Sequence, residues 1–300
     1  MSASSMRALF VETAAELLEA DARIVLVLAE ISVSAFDELD LPENARKRIF
    51  NVGIREQLLI GVAAGLAKEG FVPIVHTYTP FLVERSFEQL KLDFSHQGLA
   101  GLFVSIGASY DAATSGRTHQ APADVGLIRS LPGWNIFVPG HAGEVAEMMR
   151  HAVASGQCSY IRLSDETNSS ARTEAHAKMS VQKEGSRDFV VVAVGPMLDR
   201  VLGAVSALDV TVLYASSIHP FDGEMLRTYG AEQVVLVEPY LAGTSASAIS
   251  AALIDKPHRL LSLGVGNIEM RNYGKPHEHA AAHGLDEAGL RQSIGSFYRS

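Results

Sequence analysis

Short apolar segments rich in β-branched residues alternate with segments of helical periodicity along most of the chain. Ten segments read as strands, and in one of them a turn follows the strand: 23–30, 48–53, 72–78, 101–107, 135–140, 159–164, 188–195, 210–222, 233–240 and 259–266. Strands that are apolar on both faces and separated by helices are typical of a parallel sheet that helices cover on both sides. We therefore predict an α/β protein built from doubly wound sheets.

One polar segment interrupts this alternation. Residues 165–187 include almost no large apolar side chain, which is typical of a linker. A length of 300 residues is also expected for two domains. We predict a first domain over 1–164, a linker over 165–187 and a second, smaller domain over 188–300.

Charge and cysteine content exclude several classes of protein. A net charge of −9 without a Lys/Arg cluster argues against nucleic-acid binding. A single cysteine, Cys158, excludes an internal disulfide and a multi-cysteine zinc site, as expected in a reducing compartment. Neither a signal peptide nor an apolar segment long enough to span a membrane is evident. We expect a soluble cytoplasmic protein.

Polar residues collect where the predicted strands end. Sites in open α/β sheets form at the carboxyl ends of strands, and Glu30, Glu56 and His119 follow such ends. Glu56 opens a helix, where the macrodipole alone would favour a carboxylate. The helix is rich in small residues, however, so a partly desolvated carboxyl group that keeps or shares a proton is the alternative.

His119 is the strongest general acid/base candidate among the histidines, because it lies in a turn after a strand. A solvated loop histidine is the alternative. Tyr78 and Phe81 are spaced to stack on a flat ring or to fill a core. His277, His279 and His283 lie close together but lack an acidic or cysteine partner at ligand spacing, so we predict no metal site. These residues alone do not identify a reaction.

Three segments resemble one enzyme family. "NVGIREQLLIGVAAGLAKEGFVPIVHTYTPFLVERSFEQLKLD" is similar to the pyrimidine-binding domain of transketolases and deoxyxylulose-phosphate synthases, and "SGRTHQAPADVGLIRSLPGWNIFVPGHAGE" resembles the family's "DGPTHQ" loop. "SSIHPFDGEMLRTYGAEQVVLVEPYLAGTSASAIS" is similar to its C-terminal domain. The resemblance covers nearly the whole chain. It implies a mostly parallel pyrimidine-binding domain followed by a smaller transketolase C-terminal-like domain.

The resemblance implies a thiamine diphosphate enzyme that transfers a two-carbon ketol unit from a ketose to an aldehyde. Glu56 would be the activating acid that hydrogen-bonds the aminopyrimidine ring, on which Tyr78 and Phe81 would pack. Glu30 would stand near the cofactor, where the family usually has Asp. His119 would contact a substrate hydroxyl or carbonyl group. Arg85 would lie near the site, without an assigned role.

The family's G-D-G motif, which holds Mg²⁺ and the diphosphate, is missing from the sequence. The resemblance therefore implies the C-terminal subunit of a split transketolase. Its partner, an N-terminal subunit, would carry the diphosphate and Mg²⁺ site, and two copies of each subunit would form a heterotetramer with the active site at their interface.

Departures from the family pattern concern the substrate. Ser115 replaces an Asp that reads a sugar hydroxyl, Arg117 replaces a Pro, and Asp165 stands where many relatives have a phosphate-binding Arg. Ser115, Arg117, His119 and Gln120 are the expected substrate-binding residues. A carboxylate at 165 would repel a phosphate. We expect either a sugar-like substrate other than an ordinary pentose phosphate, or an anion contact from Arg117.

Two other functions stay open. The beta subunit of 2-oxo-acid dehydrogenases shares the two-domain layout and also needs a partner, although the T-H-Q loop favours transketolase. A non-catalytic regulatory subunit is the second alternative, since Ser115 and Asp165 replace functional residues. The presence of Glu56 and His119 argues against it, because packing requires neither.

Overall fold

The computed structural model describes residues 5–172, 178–229 and 232–300. The strands in these residues are β1 Ile24–Leu28, β2 Ile49–Asn51, β3 Val72–Tyr78, β4 Gly101–Ile106, β5 Asn135–Phe137, β6 Cys158–Arg162, β7 Ser180–Lys183, β8 Phe189–Val194, β9 Thr211–Ala215, β10 Ser217–His219, β11 Gln233–Leu241 and β12 Arg259–Val265. Each segment predicted as a strand overlaps at least one of them, and 210–222 includes both β9 and β10. Burial of the central strands on both faces explains this agreement, because it requires the continuous apolar runs seen in the sequence.

Helices connect and cover these strands. The α-helices are α1 Met6–Ala20, α2 Val33–Asp37, α3 Glu43–Arg46, α4 Glu56–Lys68, α5 Phe87–Gln89, α6 Asp124–Arg129, α7 Ala142–Ser155, α8 Leu198–Ala204, α9 Gly223–Tyr229, α10 Ala246–Ala252, α11 Pro276–Ala282 and α12 Glu287–Tyr298. Wider π-helical turns flank α5, at Pro80–Arg85 and Leu90–His96, and 3₁₀ turns occur at Ala113–Ser115, Arg117–His119 and Gly195–Met197.

The strands form two sheets that are mostly parallel. The first has the order β10-β5-β6-β4-β3-β1-β2, and the second has the order β12-β11-β8-β9-β7. Only edge strands depart from parallel pairing, since β10 runs antiparallel to β5 and β7 runs antiparallel to β9. The predicted fold class, two doubly wound α/β units of which the second is smaller, is confirmed.

Two edge strands do not follow the expected division of the chain. β7 lies inside the segment predicted as a linker, where its short alternating pattern was hidden among polar residues. β10 belongs to the second half of the chain but pairs with β5 of the first sheet. The boundaries at 164 and 188 therefore stay a prediction.

A shared apolar core joins the two sheets. One cluster of buried side chains takes residues from both, among them Val75, Trp134 and Tyr160 of the first and Val192, Leu236 and Tyr240 of the second. The Trp134 indole donates to the Ser95 hydroxyl at 2.7 Å, which satisfies its one polar atom. The two sheets therefore pack on each other, and loops of the two halves also meet, since Arg117 donates to Glu269.

Within the described residues, no helix is long and apolar enough to cross a membrane.

Candidate active site

A tight turn after β2 places the start of α4 beside the end of β1. Gly53 has a φ of +73°, a left-handed conformation that glycine adopts without strain. The Asn51 side-chain oxygen accepts from the Gly53 and Glu30 backbone N–H groups, both at 3.0 Å. In return, the Asn51 amide donates to the Glu30 carboxylate at 3.1 Å. Glu30 has a φ of 64°, which is uncommon for a residue with a side chain, so its position is held against local strain.

Glu56 is the first residue of α4 and is 1% exposed. Its carboxylate receives a hydrogen bond from Arg85 Nη1 at 2.7 Å, and the helix N-terminus also favours a negative charge there. The Arg85 guanidinium lies over the Phe81 ring, 4.1 Å from its centroid. Arg85 therefore links the candidate acid to a candidate aromatic contact.

The surface around Glu56 is apolar for an exposed region. Phe50, Ile54 and Leu58 are 37%, 69% and 46% exposed, and they lie just before or just after the Glu56 position in the chain. Exposed aliphatic and aromatic side chains gathered around a buried carboxylate mark a surface suited to contact with another molecule.

His119 contacts both candidate aromatic residues. Its ring is edge-on to Phe81 and to Tyr78, with centroid distances of 5.0 and 5.7 Å. The Thr118 hydroxyl lies 2.9 Å from His119 Nδ1 and orients the ring. The structure thus brings Tyr78, Phe81 and His119 together and connects them to Glu56 through Arg85. Glu30 stands apart from this cluster, beside the turn at Gly53.

The remaining predicted substrate residues share the loop that carries His119. Ser115 and Arg117 are exposed, whereas Gln120 is 2% exposed and its side-chain nitrogen has no hydrogen-bond partner among the described residues. Arg117 donates to the Glu269 carboxylate at 3.1 Å and to the Gln120 carbonyl at 2.8 Å. The charge expected for a substrate anion is therefore already paired with a carboxylate of the second sheet's loops.

A segment that follows β12 packs across this loop. The Tyr273 ring lies against Gly116, whose φ of +84° and lack of a side chain allow the close approach. Between the two lies a cavity of about 210 Å³, open at one side, whose wall includes Glu84, Arg117 and Gln120 together with Gly266–Met270. This volume is below that of complete small-molecule sites and suits part of a ligand.

Asp165 points to a network that sequence reasoning missed. It is exposed, and its backbone N–H donates to Asp111 Oδ2 at 3.0 Å. Burial raises the pKa of Asp111 to about 7. Close by, Arg162 and Asp124 form a fully buried pair at 2.7 Å, and Tyr160 donates to the same carboxylate at 2.8 Å. One signal for this pair was available in the sequence, since the charged residue Arg162 ends the buried strand β6.

The histidines near the C-terminus pack around an aromatic ring. Tyr110 stacks on His279 with a centroid distance of 4.1 Å and lies 3.2 Å from His283 Nε2. In the parts of the chain that the structure describes, no three His, Cys, Asp or Glu side chains are grouped so as to hold a metal ion.

Comparison with known proteins identifies the family to which this chain is similar. Residues 2–168 match the model "Transketolase, pyrimidine binding domain". An uncharacterized 33.6 kDa protein in the fasciation locus of Rhodococcoides fascians is 46% identical over 285 residues, which is 93% of this chain and 90% of that protein. The 1-deoxy-D-xylulose-5-phosphate synthase of Nitrosomonas europaea is 31% identical over 82% of this chain, but over only 41% of its own length.

Solved structures of transketolases share the fold of this chain. A split-gene transketolase, described as an inactive beta4 tetramer, superposes with a TM-score of 0.84 at 26% identity and covers 98% of both chains. The transketolase of Campylobacter jejuni superposes with a TM-score of 0.75 at 18% identity, and the match covers 95% of this chain but 46% of that one. This chain therefore spans less than half the length of the synthase and of the Campylobacter jejuni transketolase.

Proposed function

The chain belongs to the transketolase pyrimidine-binding domain family, and from this premise we propose that it is one subunit of a split, thiamine diphosphate-dependent transketolase. The proposed reaction moves a two-carbon ketol unit from a ketose to an aldehyde, in carbohydrate metabolism of the cytoplasm. A separate N-terminal subunit would complete the active site and bind the diphosphate and Mg²⁺. Two copies of each subunit would form the heterotetramer.

The buried Glu56 carboxylate is the observation that carries this proposal. Glu56 is 1% exposed, and Arg85 is the one side-chain partner of its carboxylate among the described residues. Burial of a carboxylate costs folding free energy, and a functional role would account for that cost. Glu56 lies at the edge of an exposed apolar surface that includes Ile54 and Leu58. A carboxyl group in this position fits a site that a second subunit covers.

The residues present fit the pyrimidine half of thiamine diphosphate. Glu56 offers a carboxyl oxygen to a ring nitrogen, and Phe81 with Tyr78 offers flat apolar contacts beside it. When bound, the cofactor supplies a carbon nucleophile for attack on a ketose carbonyl.

Each predicted site residue of this chain has a separate role in the proposed reaction. Glu56 would hold a proton at its carboxyl oxygen against a pyrimidine nitrogen, and Arg85 would move aside from that carboxylate. Glu30 would stand beside the cofactor at the end of β1. His119, oriented by Thr118, would exchange a proton with a substrate oxygen. Ser115, Arg117 and Gln120 would contact the rest of the substrate.

Deuterium exchange at the thiazolium carbon of the bound cofactor tests the central role. In the complex of this chain with its N-terminal subunit and Mg²⁺, Glu56→Gln should slow exchange by about 10²-fold or more, since general acid–base groups contribute on that scale. Glu69→Gln, at the exposed opposite end of α4, is the matched control and should exchange normally. Unchanged exchange in Glu56→Gln would refute the assignment. Decarboxylation of a 2-oxo acid without ketol transfer would favour a dehydrogenase subunit instead.

A further inference from the structure

The cavity between the His119 loop and the segment after β12 has walls from both halves of the chain. Arg117 and Gln120 belong to the loop, and Glu84 belongs to the π-helical turn that also carries Phe81. Gly266–Met270 closes the opposite side. The loop that carries His119 and the turn that carries Phe81 therefore also contribute to this cavity, which adjoins the elements of the candidate reaction centre.

One buried group in this wall lacks a partner. Gln120 is 2% exposed, and its side-chain nitrogen makes no hydrogen bond within the described residues. A buried amide donor without an acceptor is unfavourable, and the cavity is the space next to it from which an acceptor could come. A hydroxyl or carbonyl oxygen of a ligand would satisfy it.

The charges around the cavity are unsuited to an anion. Its wall carries two carboxylates, Glu84 and Glu269, and one cation, Arg117. Arg117 is paired with Glu269 through its Nε atom, at 3.1 and 3.3 Å from the two carboxylate oxygens. Glu84 thus leaves the wall with one net negative charge, which repels a phosphate dianion.

We propose that this cavity is a subsite for the far end of the substrate, and that it accepts an uncharged, hydroxylated carbon chain in preference to a terminal phosphate. Gln120 Nε2 would donate to a substrate oxygen, while Glu84 would accept from a substrate hydroxyl. The Arg117–Glu269 pair keeps the one nearby cation from attracting a phosphate. This inference rests on the proposed function, which it deepens by naming the class of substrate.

Direct binding to the full chain tests the subsite separately from catalysis. Titrations of D-xylulose and D-xylulose 5-phosphate, followed by saturation-transfer NMR on the sugar signals, give a dissociation constant for each. We expect xylulose to bind about tenfold more tightly than its phosphate, as like charges at this range imply. Gln120→Leu should weaken xylulose binding.

Two charge variants and a control complete the design. Glu84→Gln and Glu269→Gln should each improve the relative binding of the phosphate by about threefold or more, and Glu269→Gln most, because it also releases Arg117. Glu88→Gln removes an exposed carboxylate four residues after Glu84, outside the cavity, and should change neither constant.

Tighter binding of the phosphate in the unmodified chain, or a binding ratio that neither variant changes, would overturn the subsite. Absence of xylulose binding would overturn it as well. Ketol transfer by the assembled complex is a separate measurement: its failure would refute the proposed function, whatever the binding ratio shows.

Discussion

Two arginine–carboxylate pairs in this molecule have the same bond length, 2.7 Å, and different surroundings. Arg162 and Asp124 are 1% and 0% exposed, and Tyr160 donates to the same carboxylate oxygen. Arg85 and Glu56 differ from each other, since the arginine side chain is 40% exposed and the carboxylate 2%. The first pair is enclosed between the two sheets, whereas the second is open to solvent on its cationic side.

The difference separates a structural role from a site that another molecule can reach. An enclosed pair is out of reach of a ligand. Breaking it lowers the free energy of unfolding strongly, because the remaining charge has no water to solvate it. In the open pair the arginine is solvated and can leave without becoming an unpaired buried cation, whereas the buried Glu56 carboxylate then needs another partner. Arg85 can therefore move aside when Glu56 meets a ligand, but Arg162 cannot leave Asp124.

Asp124→Asn should produce the largest effect. It keeps the side-chain shape and removes the countercharge of Arg162, which should lower the free energy of unfolding by about 3–5 kcal/mol. Urea denaturation followed by circular dichroism measures the loss. Asp165→Asn, at an exposed carboxylate three residues after Arg162, should change stability by less than about 0.5 kcal/mol. Equal losses in both variants would remove the distinction between the two pairs.

Burial of Asp111, near the Arg162 pair, should make the stability of the protein depend on pH. Burial raises its pKa from 3.8 to about 7, so the folded protein keeps a proton that the unfolded chain releases above pH 3.8. This group's contribution is most favourable below that value and is lost as pH rises towards 7. The unfolding free energy should fall between pH 5 and pH 7, and Asp111→Asn should reduce this fall by up to about 2 kcal/mol. Parallel pH profiles for the two proteins would contradict the buried environment.

Arg85→Gln should lower the free energy of unfolding by about 1–2 kcal/mol, less than Asp124→Asn, because the guanidinium is solvated and the α4 N-terminus still favours the buried Glu56 carboxylate. Urea denaturation gives this value on the same scale as for Asp124→Asn. A loss that approaches that of Asp124→Asn would show that the Glu56 pair is as closed as the Arg162 pair.

The sequence predicted the central strands because their burial on both faces imposes a pattern that local reading detects. β1 and β3 lie within the segments predicted for them for this reason. The edge strands were harder to predict. β7 is short and polar, and the strand with which β10 pairs is about 80 residues away in the chain. Pairing over such a distance leaves no local pattern in the chain.

The candidate site divides in the same way. Tyr78, Phe81 and His119 were expected near one another, and their rings are in contact. The partner of Arg85 was not predicted, because Glu56 lies 29 residues before it and neither neighbourhood indicates the pairing. Asp124 was not among the predicted site residues. Its ion pair depends on a tertiary contact with Arg162 that residue types alone do not specify.

The pairing of β10 with β5 has a consequence for how the chain acquires its structure. During synthesis the first sheet lacks one edge strand until residue 219 has been made, well after the rest of that sheet. Until then, the backbone of β5 is free to pair with a strand of another molecule, as open sheet edges commonly do. The second half of the chain thus protects the first half from self-association, and a fragment that ended before residue 217 would lose this protection.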